Sequence, residues 1–299
     1  MHRFSTLQLF AVVVLVWGTT WHAIVYQVAA GTPELGVTLR FGLAGLLILA
    51  FARARGERLP PGRAVHARLL LQGGFMYSWS YLCVYHAEKH VPSGLVAVGY
   101  SASPLLAGLG ATWLWQAPIT RRFVAGGVLG VAGVALIFWP ALGAAGERPQ
   151  ALLGLAFTVG AVLLSAVGSL WASRNAVNGL PFWPALGTGM VYGSLLTALT
   201  LPLAPQGLPT APSWWLSLAY LSLAGSIAAF AGYLTIQQRL GPGKASTVGV
   251  MTPVLALVVS TLFEGFRPDA FTLAGATLAI LGNVWMLRPA VRAAVRAAE

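Results

Sequence analysis

The hydrophobic positions of this 299-residue chain fall into ten long runs, separated by short stretches that hold most of its charge. A helix needs roughly 20 mainly apolar residues to cross the hydrocarbon core of a bilayer. Measured against that length, the pattern predicts spans over 7–28, 34–52, 66–87, 92–114 and 120–140. A second set follows over 151–172, 181–203, 213–237, 243–263 and 269–288. Pro92, Pro181, Pro212 and Pro242 stand at span openings, where proline fits the first helical turn. Pro104 and Pro253 fall inside spans; each removes a backbone donor and predicts a kink.

The two sets of five echo one another. Pro104, Gly126, Gly130, Gly133 and Pro140 recur 149 positions later as Pro253, Gly275, Ala279, Gly282 and Pro289. An odd number of crossings per copy turns the second copy upside down, the arrangement of inverted-repeat transporters. The expected fold is therefore an all-α membrane protein, with ten transmembrane helices in two inverted five-helix repeats around a central cavity. Residues 1–140 form the first repeat, 151–289 the second and 290–299 a cytoplasmic tail. The Gly-, Pro- and charge-containing stretch 141–150 is the seam. Gly126, Gly130 and Gly133 share one helical stripe, as do Gly275, Ala279 and Gly282. Small residues so spaced let two backbones approach, here as a packing scaffold or alternatively as a homodimer face. Gly42–Gly45 and Gly189–Gly193 form weaker versions.

Composition agrees with a membrane bundle. Hydrophobic residues make up 57% of the chain and charged residues 8%, against about 25% charged in soluble domains. The net charge of +11 is spread over short loops on the side of the N-terminus, and the acids lean to the other side. That bias places both termini in the cytoplasm and argues against a nucleic-acid partner. The first run, from Leu7, lacks a cleavage site followed by a soluble domain. The lone Cys83 excludes an internal disulfide, and 7 acids with 5 histidines offer little for a metal, so neither metal nor cofactor is expected. There is no nucleotide-binding G-x-x-x-x-G-K-[ST] loop and no H-E-x-x-H or G-x-S-x-G protease signature.

Chemistry resides in aromatic and hydroxyl side chains. Tyr77, Tyr81 and Tyr85 repeat at i, i+4, i+8 on one face of the third span, and Trp17 and Trp21 at i, i+4 on the first. Tyr100 and Ser103 lie in the fourth, Ser169 and Trp171 in the sixth, Tyr233 and Gln237 in the eighth, Thr247 and Met251 in the ninth. Trp113, Trp115, Trp139, Trp214, Trp215 and Trp285 lie near span ends and read as an interfacial belt. The deeper rings read as the lining of a substrate cavity, because a buried tyrosine hydroxyl needs a partner that lipid cannot give. Such a cavity suits a flat apolar body with a small polar head. Arg40 is the only charge well inside a span; it either snorkels to the interface or meets a substrate carboxylate. His22 and His86 can titrate near neutral pH or serve as hydrogen-bonded packing residues. Glu264 is expected at the interface. With no deep carboxylate to relay protons, a passive or gradient-driven carrier is the simpler account. Pro104, Pro253, Gly94 and Gly99 are the expected flex points.

The run LVWGTTWHAIVYQVAAGTPELGVTLRFGLAGLLIL (Leu15 to Leu49) resembles the start of EamA-type members of the drug/metabolite transporter superfamily. VPSGLVAVGYSASPLLAGLGATWLW and GPGKASTVGVMTPVLALVVSTLFEG resemble that family's fourth and ninth helices. Within it the chain is most similar to the YddG-type exporters. The resemblance implies a bacterial inner-membrane carrier for aromatic amino acids and related metabolites, with membrane lipids and a small-molecule substrate as partners. The family's cavity is lined by the first, third, fourth, sixth, eighth and ninth helices. Two features depart from the pattern: the Trp-Gly signature has no counterpart in the second half, and Trp115 stands where Glu264 would repeat. A multidrug efflux carrier, a lipid-modifying enzyme and a structural subunit are the competing readings.

Overall fold

Helix boundaries follow from local chemistry. The computed structural model describes residues 4–116, 119–143, 149–204, 207–240 and 247–287, and among these there is no strand. Ser5 opens α1 (Thr6–Ala30) with a capping box, its hydroxyl accepting from the Gln8 amide while Gln8 reaches back to the Ser5 amide. Thr32 caps α2 (Pro33–Ala54), with Pro33 in the first turn and Glu34 set favourably against the helix dipole. Next come α3 (63–88), α4 (93–115), α5 (Arg121–Gly143), α6 (Pro149–Val177), α7 (Phe182–Ala198), α8 (212–240), α9 (Thr247–Phe263) and α10 (Ala270–Leu287).

Among the described residues, six segments are long and apolar enough to cross a membrane: α1, α2, α6, Arg121–Pro140 of α5, Phe182–Leu203 including the turn after α7, and Pro212–Tyr233 of α8. Ser93–Ala102, Val248–Phe263 and Ala270–Met286 are shorter apolar helices.

Among the described residues, three helices change type partway. The α3 helix passes through a π-helical stretch at Gly74–Trp79, and α8 does so at Leu221–Ala228. Each leaves carbonyls poorly matched to the α ladder, a feature that recurs at functional positions. The α4 helix tightens to a 3-10 turn at Tyr100–Ala102, immediately before Pro104, which has no N–H to extend the ladder back to Tyr100. Pro140 and Pro253 are accommodated inside α5 and α9.

Packing is closest where glycines face one another. A Cβ on Gly133 would stand 2.4 Å from the Gly275 carbonyl oxygen, and one on Gly126 would stand 2.5 Å from that of Gly282. The contacts are reciprocal: Gly275 and Gly282 meet the carbonyls of Gly133 and Gly126, each at 2.5 Å. Contact positions rise along α5 as they fall along α10, so the two helices cross antiparallel. The stripe is thus covered within the chain, which rules out the homodimer alternative. The α2 and α7 helices cross the same way, Gly42 against Ser194 and Gly45 against the Gly187 carbonyl and Val191. Gly94 and Gly99, expected as flex points, are close-approach positions inside the core, against Leu257 of α9 and Thr158 of α6.

Candidate functional site

A continuous line of rings runs through the bundle. Trp17 of α1 packs on Tyr233 and Phe230 of α8, with centroids 5.3 Å apart in both cases. Phe230 meets Tyr77 of α3 at 6.3 Å, Tyr77 meets Phe41 of α2 at 5.4 Å, and Phe41 meets Tyr81 edge-on at 4.6 Å. These are the edge and tilted geometries that ring quadrupoles favour. Trp21 and Tyr100 form a further edge-on pair between α1 and α4 at 5.3 Å. The Trp17 indole donates to the Gly225 carbonyl at 3.1 Å, using an oxygen in the π-helical stretch of α8. Trp17→Phe keeps most of the ring and strands that oxygen. Its expected cost is about 1 kcal/mol, read as a lowered melting temperature in detergent.

The line ends on a buried cation. Arg40 is 2% exposed, its guanidinium 4.8 Å from the Tyr81 centroid and 5.1 Å from that of Phe41, and its Nε donates to Ser226 Oγ at 3.4 Å. The expected snorkelling does not occur. Phe41 and Tyr81 cover the guanidinium, and stacking on rings compensates part of its lost hydration. Tyr85, also fully buried, donates its hydroxyl to Gln27 Oε1 at 2.7 Å.

Glu88 corrects the expectation that no carboxylate lies deep. The α3 helix continues one residue past the span read from the sequence, and i, i+4, i+7 spacing sets Glu88 on the face of Tyr81 and Tyr85. It is buried, and neither of its oxygens has a hydrogen-bond partner.

Two histidines pair with carboxylates remote in sequence. His22 Nδ1 lies 3.1 Å from Glu264 Oε1, and His86 Nε2 lies 3.1 Å from Glu34 Oε1. Just beyond the last residue of α9, Glu264 also accepts from the Ser93 amide at 3.0 Å, from the Ser93 hydroxyl and from Ser260 at 2.9 Å. It therefore joins α1, the start of α4 and the end of α9, and is only 10% exposed, not a free interfacial acid. Burial alone would raise its carboxyl pKa; the Ser93, His22 and Ser260 hydrogen bonds outweigh that and hold it below the ordinary value.

Other expected residues stand apart. Trp171 is half-buried with Arg174 over its ring at 5.7 Å, near the end of α6. Ser169 and Ser103 are half-buried, and Met251 is exposed on α9. The side chains of Pro104, Gln237 and Thr247 lie outside the described residues. Trp214, expected in the belt, is fully buried against Gly31, whereas Trp113, Trp139, Trp215 and Trp285 are exposed as a belt requires. Phe41, Phe230, Gln27 and Glu88 were not expected at the site. Phe41 and Gln27 share helical faces with the buried residues Val37 and Ala44, and Ala23 and Ile24, the signal that could have placed them. No cluster of three or more metal-ligating side chains occurs among the described residues.

Comparison with known proteins points one way. The model of the EamA-like transporter family matches residues 5–139 and again 152–288. The uncharacterized inner membrane transporter YedA of Escherichia coli (strain K12) is 27% identical over 254 residues, covering 84% of this chain and 80% of that one. Protein PecM of Dickeya dadantii (strain 3937) is 26% identical over 253 residues, covering 83% and 80%. A solved crystal structure superposes with a TM-score of 0.67 at 20% identity, over 97% of this chain and 98% of its own, a likeness of fold.

Proposed function

The chain belongs to the EamA-like transporter family, an all-helical membrane transporter, and from there we propose that it exports amino acids, aromatic or bulky apolar ones by preference, together with related small metabolites. The carrier works by alternating access in a bacterial inner membrane, with both termini cytoplasmic. Its ten helices form two oppositely oriented sets of five, residues 1–140 and 151–289. The reciprocal, antiparallel crossing of α5 with α10 supports this arrangement, since contacts of i with j′ and j with i′ mark two-fold related surfaces. The π-helical stretches of α3 and α8, the third helix of each set, support it too.

The observation that carries the substrate reading is the ring line Trp17–Phe230–Tyr77–Phe41–Tyr81. It draws on α1, α2 and α3 of one half and α8 of the other. A planar side chain entering between the halves replaces ring–ring contacts with contacts of the same kind, so admitting it costs little packing energy. In proteoliposomes preloaded with unlabelled phenylalanine or tryptophan, the protein is expected to accumulate the labelled amino acid by counterflow. Folded protein that gives no flux of either rejects the assignment.

A further inference from the structure

Three buried side chains around Tyr85 hold polar atoms with nothing to bind. Arg40 Nη1, Gln27 Nε2 and both carboxylate oxygens of Glu88 lack hydrogen-bond partners, although the three residues are 2%, 1% and 8% exposed. Native interiors rarely leave such groups unsatisfied, and an unpaired buried charge is among the costliest things a fold can carry. Tyr85 links the set. It donates to Gln27 Oε1 and shares one face of α3 with Glu88 and with Tyr81, whose ring lies under the Arg40 guanidinium at 4.8 Å. Arg40 and Glu88 form no ion pair with each other.

The free atoms therefore sort by sign. On α1 and α2, Gln27 and Arg40 offer donors; on α3, Glu88 offers only acceptors once it is ionised. The Glu264 carboxylate does not enter this pattern, because it is already occupied by Ser93, Ser260 and His22. A molecule that is neutral overall but carries an anion and a cation a few bonds apart has a group of the right sign for each free atom. The ring line ends on the same guanidinium, at Phe41 and Tyr81.

We infer that Arg40, Gln27 and Glu88 form a socket for the zwitterionic head of an α-amino acid, the carboxylate held by Arg40 and Gln27 and the ammonium by Glu88, with the side chain lying along the rings. This deepens the amino-acid reading above and rests on it. Specificity arises because a ligand lacking either charge leaves one side of the socket buried and unpaired, a far larger penalty than losing an apolar contact.

Counterflow of labelled phenylalanine in proteoliposomes, challenged with phenylalanine, phenethylamine (no carboxylate) and 3-phenylpropionate (no ammonium), tests the socket. On the unaltered protein each truncated compound is expected to compete at least about 30-fold more weakly than phenylalanine, the size of effect that follows from leaving one buried polar group unsatisfied. Arg40→Gln is expected to weaken phenylalanine and bring phenethylamine level with it. Glu88→Gln is expected to do the same for 3-phenylpropionate. A purely structural role for either residue would weaken all three compounds alike. Equal competition by all three in a protein that carries phenylalanine overturns the socket and leaves amino-acid transport standing. Folded protein that carries neither phenylalanine nor tryptophan overturns both. Should the variants fail to fold, the three-compound series on the unaltered protein still separates a charge-reading socket from a site that reads only the ring.

Discussion

Leucine at both Gly133 and Gly275 will leave no folded protein, whereas alanine at Gly130, in the same stripe, will hardly be noticed. The difference lies in what a new side chain meets. At Gly133 even a methyl group would stand 2.4 Å from the Gly275 carbonyl oxygen and 2.6 Å from the Ala279 amide nitrogen. Both are backbone atoms, so relief requires the two helices to separate along their whole crossing. At Gly130 the nearest atom is the Asn283 amide nitrogen at 3.5 Å, an ordinary contact on a side chain that can turn. Overpacking of a rigid site costs about 1–3 kcal/mol per substitution and sometimes more. Total stabilities are about 5–15 kcal/mol. Association of helices in lipid relies on such close contact, since no hydrophobic drive remains to offset its loss. The expected series in detergent melting curves is Gly130→Ala within about 0.5 kcal/mol of the parent, Gly133→Ala clearly lower, and the double leucine variant aggregated or without a transition. A double variant that melts with the parent would show that the crossing contributes nothing.

That stripe also marks what a sequence can and cannot disclose. Periodicity located each helix to within a few residues, because bilayer thickness and backbone satisfaction leave few alternatives. The glycine spacing identified α5 and α10 as packing helices. It did not rank Gly126, Gly130 and Gly133, because rank depends on which partner atom lies opposite. The same blindness undervalued Gly45, whose added Cβ would lie 2.9 Å from the Gly187 carbonyl oxygen. At the site, the aromatic spacing of α1 and α3 named Trp17, Trp21, Tyr77, Tyr81 and Tyr85. Phe41 and Phe230 escaped because single rings in apolar runs carry no pattern. Charged residues are the least legible. Arg40 lies about two turns from the opening of α2, where reach alone permits snorkelling; the rings of Phe41 and Tyr81 decide otherwise. Hydropathy sets Glu88 in a loop, and a single further residue of helix turns it into the core. The pairing of His22 with Glu264 spans 242 positions and could not be read from local sequence.

Glu264→Ala is expected to destabilise the protein by about 3 kcal/mol, at a rate of about 1–3 kcal/mol per stranded buried group. The carboxylate accepts from the Ser93 amide, the Ser93 hydroxyl and the Ser260 hydroxyl and pairs with His22. Of these the amide is fixed by the first turn of α4 and cannot turn away to find another acceptor, so it bears most of the loss. The effect should be local at first: amide hydrogen exchange at the start of α4 and the end of α9 rises before the rest of the bundle responds. Acid gives a second, independent readout. Glu264 has its folded-state pKa below the ordinary 4.5, which stands for the unfolded chain. A group depressed in this way contributes its full stabilisation above the unfolded value, and loses it as pH falls through the lower folded one. The parent's melting temperature should therefore drop more steeply than that of Glu264→Gln as pH is lowered below about 4.5, because glutamine keeps an acceptor oxygen and does not titrate. Parallel acid profiles for parent and Glu264→Gln would show that this carboxylate does not hold α1, α4 and α9 together. Any opening that parts α4 from α9 would then have to overcome some other contact.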